Sequence, residues 1–394
     1  MNEIDSLSYR ATLMCRDIPV GEIQARRVTP IRPELLPLYF QRGGDLGVWL
    51  EQRAIDAHRT HSRLVKKALR LRERDDISTT LHFNAATITD SYWIRPENSS
   101  LTWDQVRFKE NEFADLALTG DLAAFSKHPS RTPELTNIGS YEKCWRYENG
   151  AWWMYKAGTV WERFSELFIY NLCRELHFPT AEYQPAGEFI KTRDFTEGTM
   201  NFEPAFALVG DEEDYSTNYQ AFLELGTAYA DQYVELLLMD TFCRNADRHT
   251  LNYGVLRDPL SGRLLSLAPN FDNNIALISD GKLIPRKPDL FGELLRELEE
   301  SDGAISSYAE RHPLPVITPA MIARCCEKTG FDVDVSFLQQ FVMTGYEQTP
   351  IPQMLEQQPT LCALCTDAQQ KAAERNAGKA PATDPAQHEL SQTN

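Results

Sequence analysis

The sequence predicts an α+β protein with a β-rich lobe, a mainly helical lobe after it, and an extra amino-terminal region. Three observations predict this. TNIGSYEKCWRYENGAWWMYKAG, from Thr136, reads as strand, turn and strand, and its Asn149-Gly150 pair is a strong hairpin signal. Tyr219 to Cys243 is a long helical pattern closing in the apolar run YVELLLMDTFC, the mark of a helix buried in a lobe. Val255-Leu256 and Leu264 to Leu267 suggest two short strands joined by the DPLSGR turn.

Composition narrows the class. At 394 residues the chain exceeds one average domain, and 42% apolar residues suffice for a substantial core. A formal net charge of −17 argues against a phosphate-binding surface spread over the molecule, and direct nucleic-acid binding is not predicted. Arg53, Arg59, Arg63, Lys66, Lys67, Arg70, Arg72 and Arg74 form a local basic cluster, read as the solvated face of a helix. No stretch approaches the roughly 20 apolar residues of a membrane span. MNEIDSLSYR lacks the basic start and apolar run of a signal peptide. Eight cysteines without framework spacing fit a reducing, cytoplasmic setting. Cys362 and Cys365 make a lone CxxC with no second pair to complete a zinc site, and Cys325-Cys326 reads as helix core.

Residues 1–134 read as an accessory region. Within it Arg53 to Arg74 looks helical and Ile77 to Trp93 extended; the aromatic, proline-interrupted Asp90 to Asp115 is suited to wrapping against a neighbouring lobe. Residues 135–200 form the first lobe: the hairpin, a helix from Trp161 to Leu176 ended by Pro179, and a short apolar run from Glu188 to Lys191. Residues 201–350 form the helical lobe, with further helices at Leu290 to Glu300, Pro319 to Thr329 and Val335 to Tyr346. Residues 366–394 are rich in Ala, Gln, Pro, Thr and Lys, a composition that predicts a disordered tail.

Chemistry concentrates in NADRHTLNYG, between the apolar helix and the short hairpin. Asp247 and Asn252 are separated by four residues, as in the catalytic loops of phosphotransferases. At that spacing an aspartate can face an acceptor hydroxyl while the asparagine turns its amide oxygen to a metal ion. Asp272, in LAPNFDNN beyond the hairpin, supplies a carboxylate suited to magnesium. Aspartate and asparagine also cap helices and make turns, so it is their order around a hairpin that carries weight. Arg248 is open to pairing with a phosphate or with a loop carboxylate, and His249 suits loop bracing. Lys156, at a strand end, is placed to clamp phosphate, with Glu166 or its rival Glu162 on the next helix to orient it. Gly139 ahead of that strand allows close backbone approach to phosphate.

TNIGSYEK, MYKAG, the helix bearing Glu166, NADRHTLNYG and PNFDNN, in that order, resemble the HipA-like serine/threonine kinases over about Thr136 to Tyr346. The Asp-Arg-His-x-x-Asn string is also similar to the catalytic loop of phosphatidylinositol kinases, which share the protein-kinase-like two-lobed fold. The resemblance implies ATP and Mg2+ as cofactors. It implies Asp247 as base, Asn252 and Asp272 as magnesium ligands, and Lys156 on the ATP phosphates with Glu166 behind it. Lys143 and the Gly139-Ser140 loop would assist, and Phe189 to Arg193, with Lys191, Thr192 and Arg193, would be the hinge contacting adenine, mainly through backbone groups. It further implies a protein substrate, a DNA-binding antitoxin-like partner, and self-phosphorylation of Thr136, or second Ser140. Asn273-Asn274 departs from the Phe-Gly that follows this aspartate in ordinary protein kinases, so their activation-loop logic does not carry over. The same fold also accommodates a lipid, peptide or small-molecule acceptor, or a catalytically silent nucleotide-binding module.

Overall fold

The computed structural model describes residues 3–71, 75–127 and 131–357. Arg72, Arg74, the Cys362–Cys365 pair and the predicted disordered tail lie outside the described residues. Met1–Thr349 is one compact unit, and Pro350–Asn394 a second whose described part is the helix Ile351–Gln357.

Among the described residues, three antiparallel sheets organise the larger unit. The first, in the order β3-β2-β1-β4, joins β1 (Arg10–Cys15), β2 (Ile18–Gln24), β3 (Arg27–Pro30) and β4 (Tyr92–Pro96). Strand alternation gives it two buried faces. Leu13, Cys15, Tyr92 and Ile94 join one core with Leu36, Trp49 and Leu50, while Met14 and Trp93 join another. That second core takes in Val106, Phe108 and Phe113 from the Asp90–Asp115 stretch together with Cys144 and Tyr155 of the next sheet, so this stretch does wrap against the neighbouring lobe.

The second sheet has the order β5-β6-β8-β7, with β5 (Lys143–Glu148), β6 (Ala151–Lys156), β7 (Tyr183–Ala186) and β8 (Phe189–Arg193). The Asn149-Gly150 turn takes left-handed φ of 51° and 85°. It pairs Glu148 with Ala151 and, at the far end, sets Lys143 opposite Lys156. The helix Val160–Leu176 follows, started by Thr159 and Glu162 in a reciprocal cap.

The third sheet, β11-β10-β9, joins β9 (Asn201–Pro204), β10 (Gly254–Arg257) and β11 (Leu264–Leu267). β10 must be glycine at its first position, because a Cβ on Gly254 would stand 2.2 Å from the Glu203 carbonyl oxygen. Around it lie the helices Thr227–Cys243, Leu290–Asp302, Pro319–Thr329 and Val335–Glu347. Cys325 and Cys326 are both buried, as expected.

Several sequence expectations need correction. Ile77 to Trp93 is not extended throughout: Asp76–His82 is helical, started by an Asp75 cap on the Ser78 N–H that outweighs the strand propensity of its threonines. The pattern beginning at Tyr219 is two helices, Tyr215–Leu225 and Thr227–Cys243, parted at Gly226. Among the described residues, Arg53 to Leu71 contains only the helix Ser62–Ala68, and its basic residues are not one solvated face. Arg63 and Lys67 are exposed, but Arg53 and Arg59 are buried. Arg53 pairs with Asp90 at 2.7 Å.

Candidate active site

The β5/β6 register places two ammonium groups at one end of a hairpin, and the site is arranged around that charge. Lys156 donates to Glu166, which the helix Val160–Leu176 buries completely, and to Asp272 Oδ1 at 2.5 Å. The second Glu166 oxygen accepts from the Asn273 N–H at 2.9 Å. Glu166 therefore ties the strand lysine to the loop after Asp272. Its rival Glu162 is engaged in the helix cap, accepting from the Thr159 N–H at 2.6 Å.

Burial disfavours the Lys156 charge, but Asp272 and Glu166 outweigh it and hold the ammonium well above its ordinary pKa. Burial opposes ionisation of Asp272 too, yet Lys156 and then Lys143 keep its carboxyl well below the usual range. Lys143 lacks so close a partner, and burial lowers it to about 8.

The Asp247 loop is built on one buried guanidinium. Arg248 grips Asp240 of the helix Thr227–Cys243 through Nε at 2.9 Å and Nη2 at 3.0 Å. It also donates to the carbonyls of Asn252 and Phe271 at 2.9 and 2.8 Å, and to the side-chain oxygens of Asn270 and Asn273 at 2.9 and 2.7 Å. Arg248 thus chooses a carboxylate, and it pins the Asp247 loop to the Asp272 loop. The Asn252 amide donates to the Asp247 carbonyl at 2.8 Å, which directs its oxygen the other way. The Asp247 carboxylate accepts no hydrogen bond among the described residues, and burial pushes its pKa up against the pull of His249. Asp272 adopts φ of 59°, with its N–H held by the Tyr183 hydroxyl at 3.1 Å.

A cleft of about 260 Å3 gathers Gly139, Ser140, Lys143, Lys156, Thr192, Arg193, Asp247, Asn252 and Asp272 on its walls. Gly139 has φ of +104°, and a Cβ there would stand 2.4 Å from Lys143 Nζ. Arg59 holds this glycine segment at both ends, donating to the carbonyls of Asn137 (3.0 Å) and Lys143. Thr136 is buried with its hydroxyl on the Pro133 carbonyl, whereas Ser140 is exposed.

Glu166 stands behind Lys156, not on the cleft wall. Lys191 turns its side chain away from the cleft. Its side chain pairs with Glu148 at 2.9 Å and lies 4.5 Å from the centre of the Trp153 ring, outside the cleft. Strand alternation gives the cleft to Thr192 instead. Sequence reasoning missed Asp240, Asn245, Asn270 and Asn273, whose importance lies in what they brace. It also missed Tyr183 and the packed rings of Phe195, Phe202 and Phe271, three segments far apart in the chain. Asn273, next to Asp272 in an Asn-rich string, was the one available signal.

The donor set fits magnesium and a nucleotide. Asn252 and Asp272 offer hard oxygen atoms, Lys143 and Lys156 offer cations, and Gly139 leaves room for close approach. The Thr192 hydroxyl is buried without a hydrogen-bond partner among the described residues.

No family model matches the chain, and no curated protein matches it. Among solved structures, it is similar to HipA of Shewanella oneidensis MR-1, solved with HipB and operator DNA as a toxin–antitoxin complex. The TM-score is 0.56 at 11% identity, covering 86% of this chain and 96% of that one. The chain thus has a HipA-like fold with an α+β architecture. A Helicobacter pylori proinflammatory kinase, CtkA, is also similar, with a TM-score of 0.40 and 14% identity over 52% of this chain and 90% of that one. No helix among the described residues is long and apolar enough to cross a membrane.

Proposed function

We propose that this HipA-like chain is an ATP- and magnesium-dependent kinase transferring the γ-phosphate to a serine or threonine hydroxyl of a protein. The observation that carries the reading is the meeting of Asp247, Asn252, Asp272 and the Lys156–Glu166 pair around one cleft. Bound magnesium supplies charge neutralisation of the phosphates, and Asn252 and Asp272 are the residues that would hold it. Lys156 and Lys143 bind phosphate oxygens, and Glu166 keeps Lys156 extended towards them. Thr192, with its unpartnered hydroxyl, and Arg193 serve the base end. Asp247 orients the acceptor hydroxyl and takes its proton as the new oxygen–phosphorus bond forms and the bond to the leaving ADP oxygen breaks. A carboxylate raised by burial is a stronger base than an exposed one.

Regulation by phosphate on the Gly139 segment belongs to the same reading. A phosphate adds roughly −2 charge beside the nucleotide phosphates. Ser140 is accessible in place; Thr136 must first leave its buried turn. Mapping phosphate after prolonged incubation with ATP tests this, and its absence from both residues removes the idea. An antitoxin-like, DNA-binding protein partner is proposed from the HipB-bound neighbour, with this acidic chain making no direct nucleic-acid contact.

The deciding test is transfer of labelled γ-phosphate in the presence of magnesium, comparing the parent protein with Asp247→Ala, each alone and with cell extract. Label with the parent and none with the variant supports the kinase. Equal labelling removes Asp247 from its role, and failure of the parent to bind ATP removes the whole reading.

A further inference from the structure

The cleft does not end at the groups that would meet a nucleotide. Tyr39 and Trp49 of the amino-terminal region continue its wall, with Phe206 beside them. Phe206 belongs to the segment fastened under Asp247. Its N–H donates to the Thr250 carbonyl at 3.0 Å, and the Ala205 N–H to the Tyr253 carbonyl at 2.8 Å. The Tyr39 ring lies 5.8 Å from that of Phe206, and Arg42, three residues on, donates to the Leu208 carbonyl. Tyr39 is thereby held at a set place relative to the loop that presents Asp247. Its hydroxyl accepts from the Asp45 N–H at 3.3 Å, and its ring adds aromatic surface to the cleft.

The charged groups at this end are paired within the protein. Arg53 meets Asp90 at 2.7 Å, and Glu203 meets Arg257 at 3.0 Å while also accepting from the Tyr92 hydroxyl at 2.9 Å. A polyol or a charged head group placed here would find carboxylates and guanidinia already satisfied by one another. It would lose hydration without regaining equivalent bonds. An apolar side chain would find aromatic surface.

We propose that Tyr39 and Phe206 are specificity-determining residues that select a protein segment carrying an apolar side chain beside the hydroxyl to be phosphorylated. This rests on the kinase reading above and names its acceptor class. The amino-terminal region then has a task the nucleotide end does not explain: it completes the acceptor side of the cleft.

The test uses the full chain, magnesium, labelled ATP and pools of short peptides with a central serine. Each pool fixes one neighbouring position as Leu, Phe, Asp, Lys or Gln; inositol and glycerol serve as polyol acceptors. The Leu and Phe pools are expected to take label about ten-fold faster than the polar pools, the scale set by one apolar contact in a pocket. Tyr39→Ala and Phe206→Ala should flatten that preference without changing affinity for a fluorescent ATP analogue. Tyr39→Leu and Phe206→Leu guard against misfolding, because they keep an apolar filling and should retain part of the preference. Equal labelling of all pools by the parent, an unaltered preference in both alanine variants, or label only on a polyol overturns the proposal. So does ATP binding with no peptide labelled. Loss of ATP binding in the parent itself would instead mark failure of the underlying kinase reading.

Discussion

Replacing Arg248 by methionine tests the idea that one buried guanidinium holds the two reactive loops together. Methionine roughly keeps the aliphatic stem and removes six hydrogen bonds, two of them to Asp240. Asp240 is 1% exposed, so the variant leaves a carboxylate in the interior with, among the described residues, only the Asn245 amide, 3.1 Å away, still on it. Breaking a buried pair from one side costs about 3–5 kcal/mol. A domain of this kind has about 5–15 kcal/mol in total, so the variant should be visibly destabilised yet still able to fold. Urea denaturation of the nucleotide-free protein measures it, with a lower midpoint and an unchanged slope. A double-mutant cycle then separates pairing from packing. Asp240→Asn alone should also destabilise, but adding it to Arg248→Met should restore at least about 1 kcal/mol relative to the sum, since the stranded charge is gone. Arg248→Lys should recover little, because an ammonium cannot span acceptors on Asp240 and both loops at once. Strictly additive single effects would refute the clamp, and so would an Arg248→Met midpoint equal to that of the parent.

Three further outcomes follow from the geometry. Asp272→Ala should weaken magnesium-dependent nucleotide binding, measured by calorimetry with and without the metal, while Asp247→Ala should leave that binding largely intact. Thr192→Val should stabilise the free protein by about 1 kcal/mol, because a buried hydroxyl without a partner is removed, yet weaken ATP binding; tighter ATP binding would count against a Thr192 contact. Burial raises Asp194 to about 6, above its unfolded value of 3.8. Folding therefore takes up a proton between these values, and the contribution is fully present below pH 3.8 and lost as pH rises through about 6. The difference of about 2 units corresponds to about 3 kcal/mol, so Asp194→Asn should flatten the melting temperature over pH 4–7, while keeping an acceptor for the Thr196 N–H.

Local patterns carried a large part of this reading. Asn149-Gly150 predicts the β5/β6 turn because few residue pairs accept two left-handed conformations. The helix bearing Glu166 and the apolar helix before Asp247 follow from side-chain period and caps, which act over a few residues. The sheet of β1 to β4 was not legible, since β4 reaches β1 from more than seventy residues away and no local period encodes that pairing. Lys191 and Thr192 differ by one position in a strand, and one position decides which face a side chain takes.

The order and identity of the candidate groups, from Gly139 through Lys156 to Asp247, Asn252 and Asp272, are properties of the sequence alone, because the proposed chemistry demands particular side chains at short spacings. Which glutamate meets Lys156, which acid receives Arg248, and which rings from the amino-terminal region face the cleft were decided only by the tertiary structure. Those choices depend on segments brought together by burial of a shared core. The free energy of that burial belongs to the packed chain, and no stretch of it carries that energy by itself.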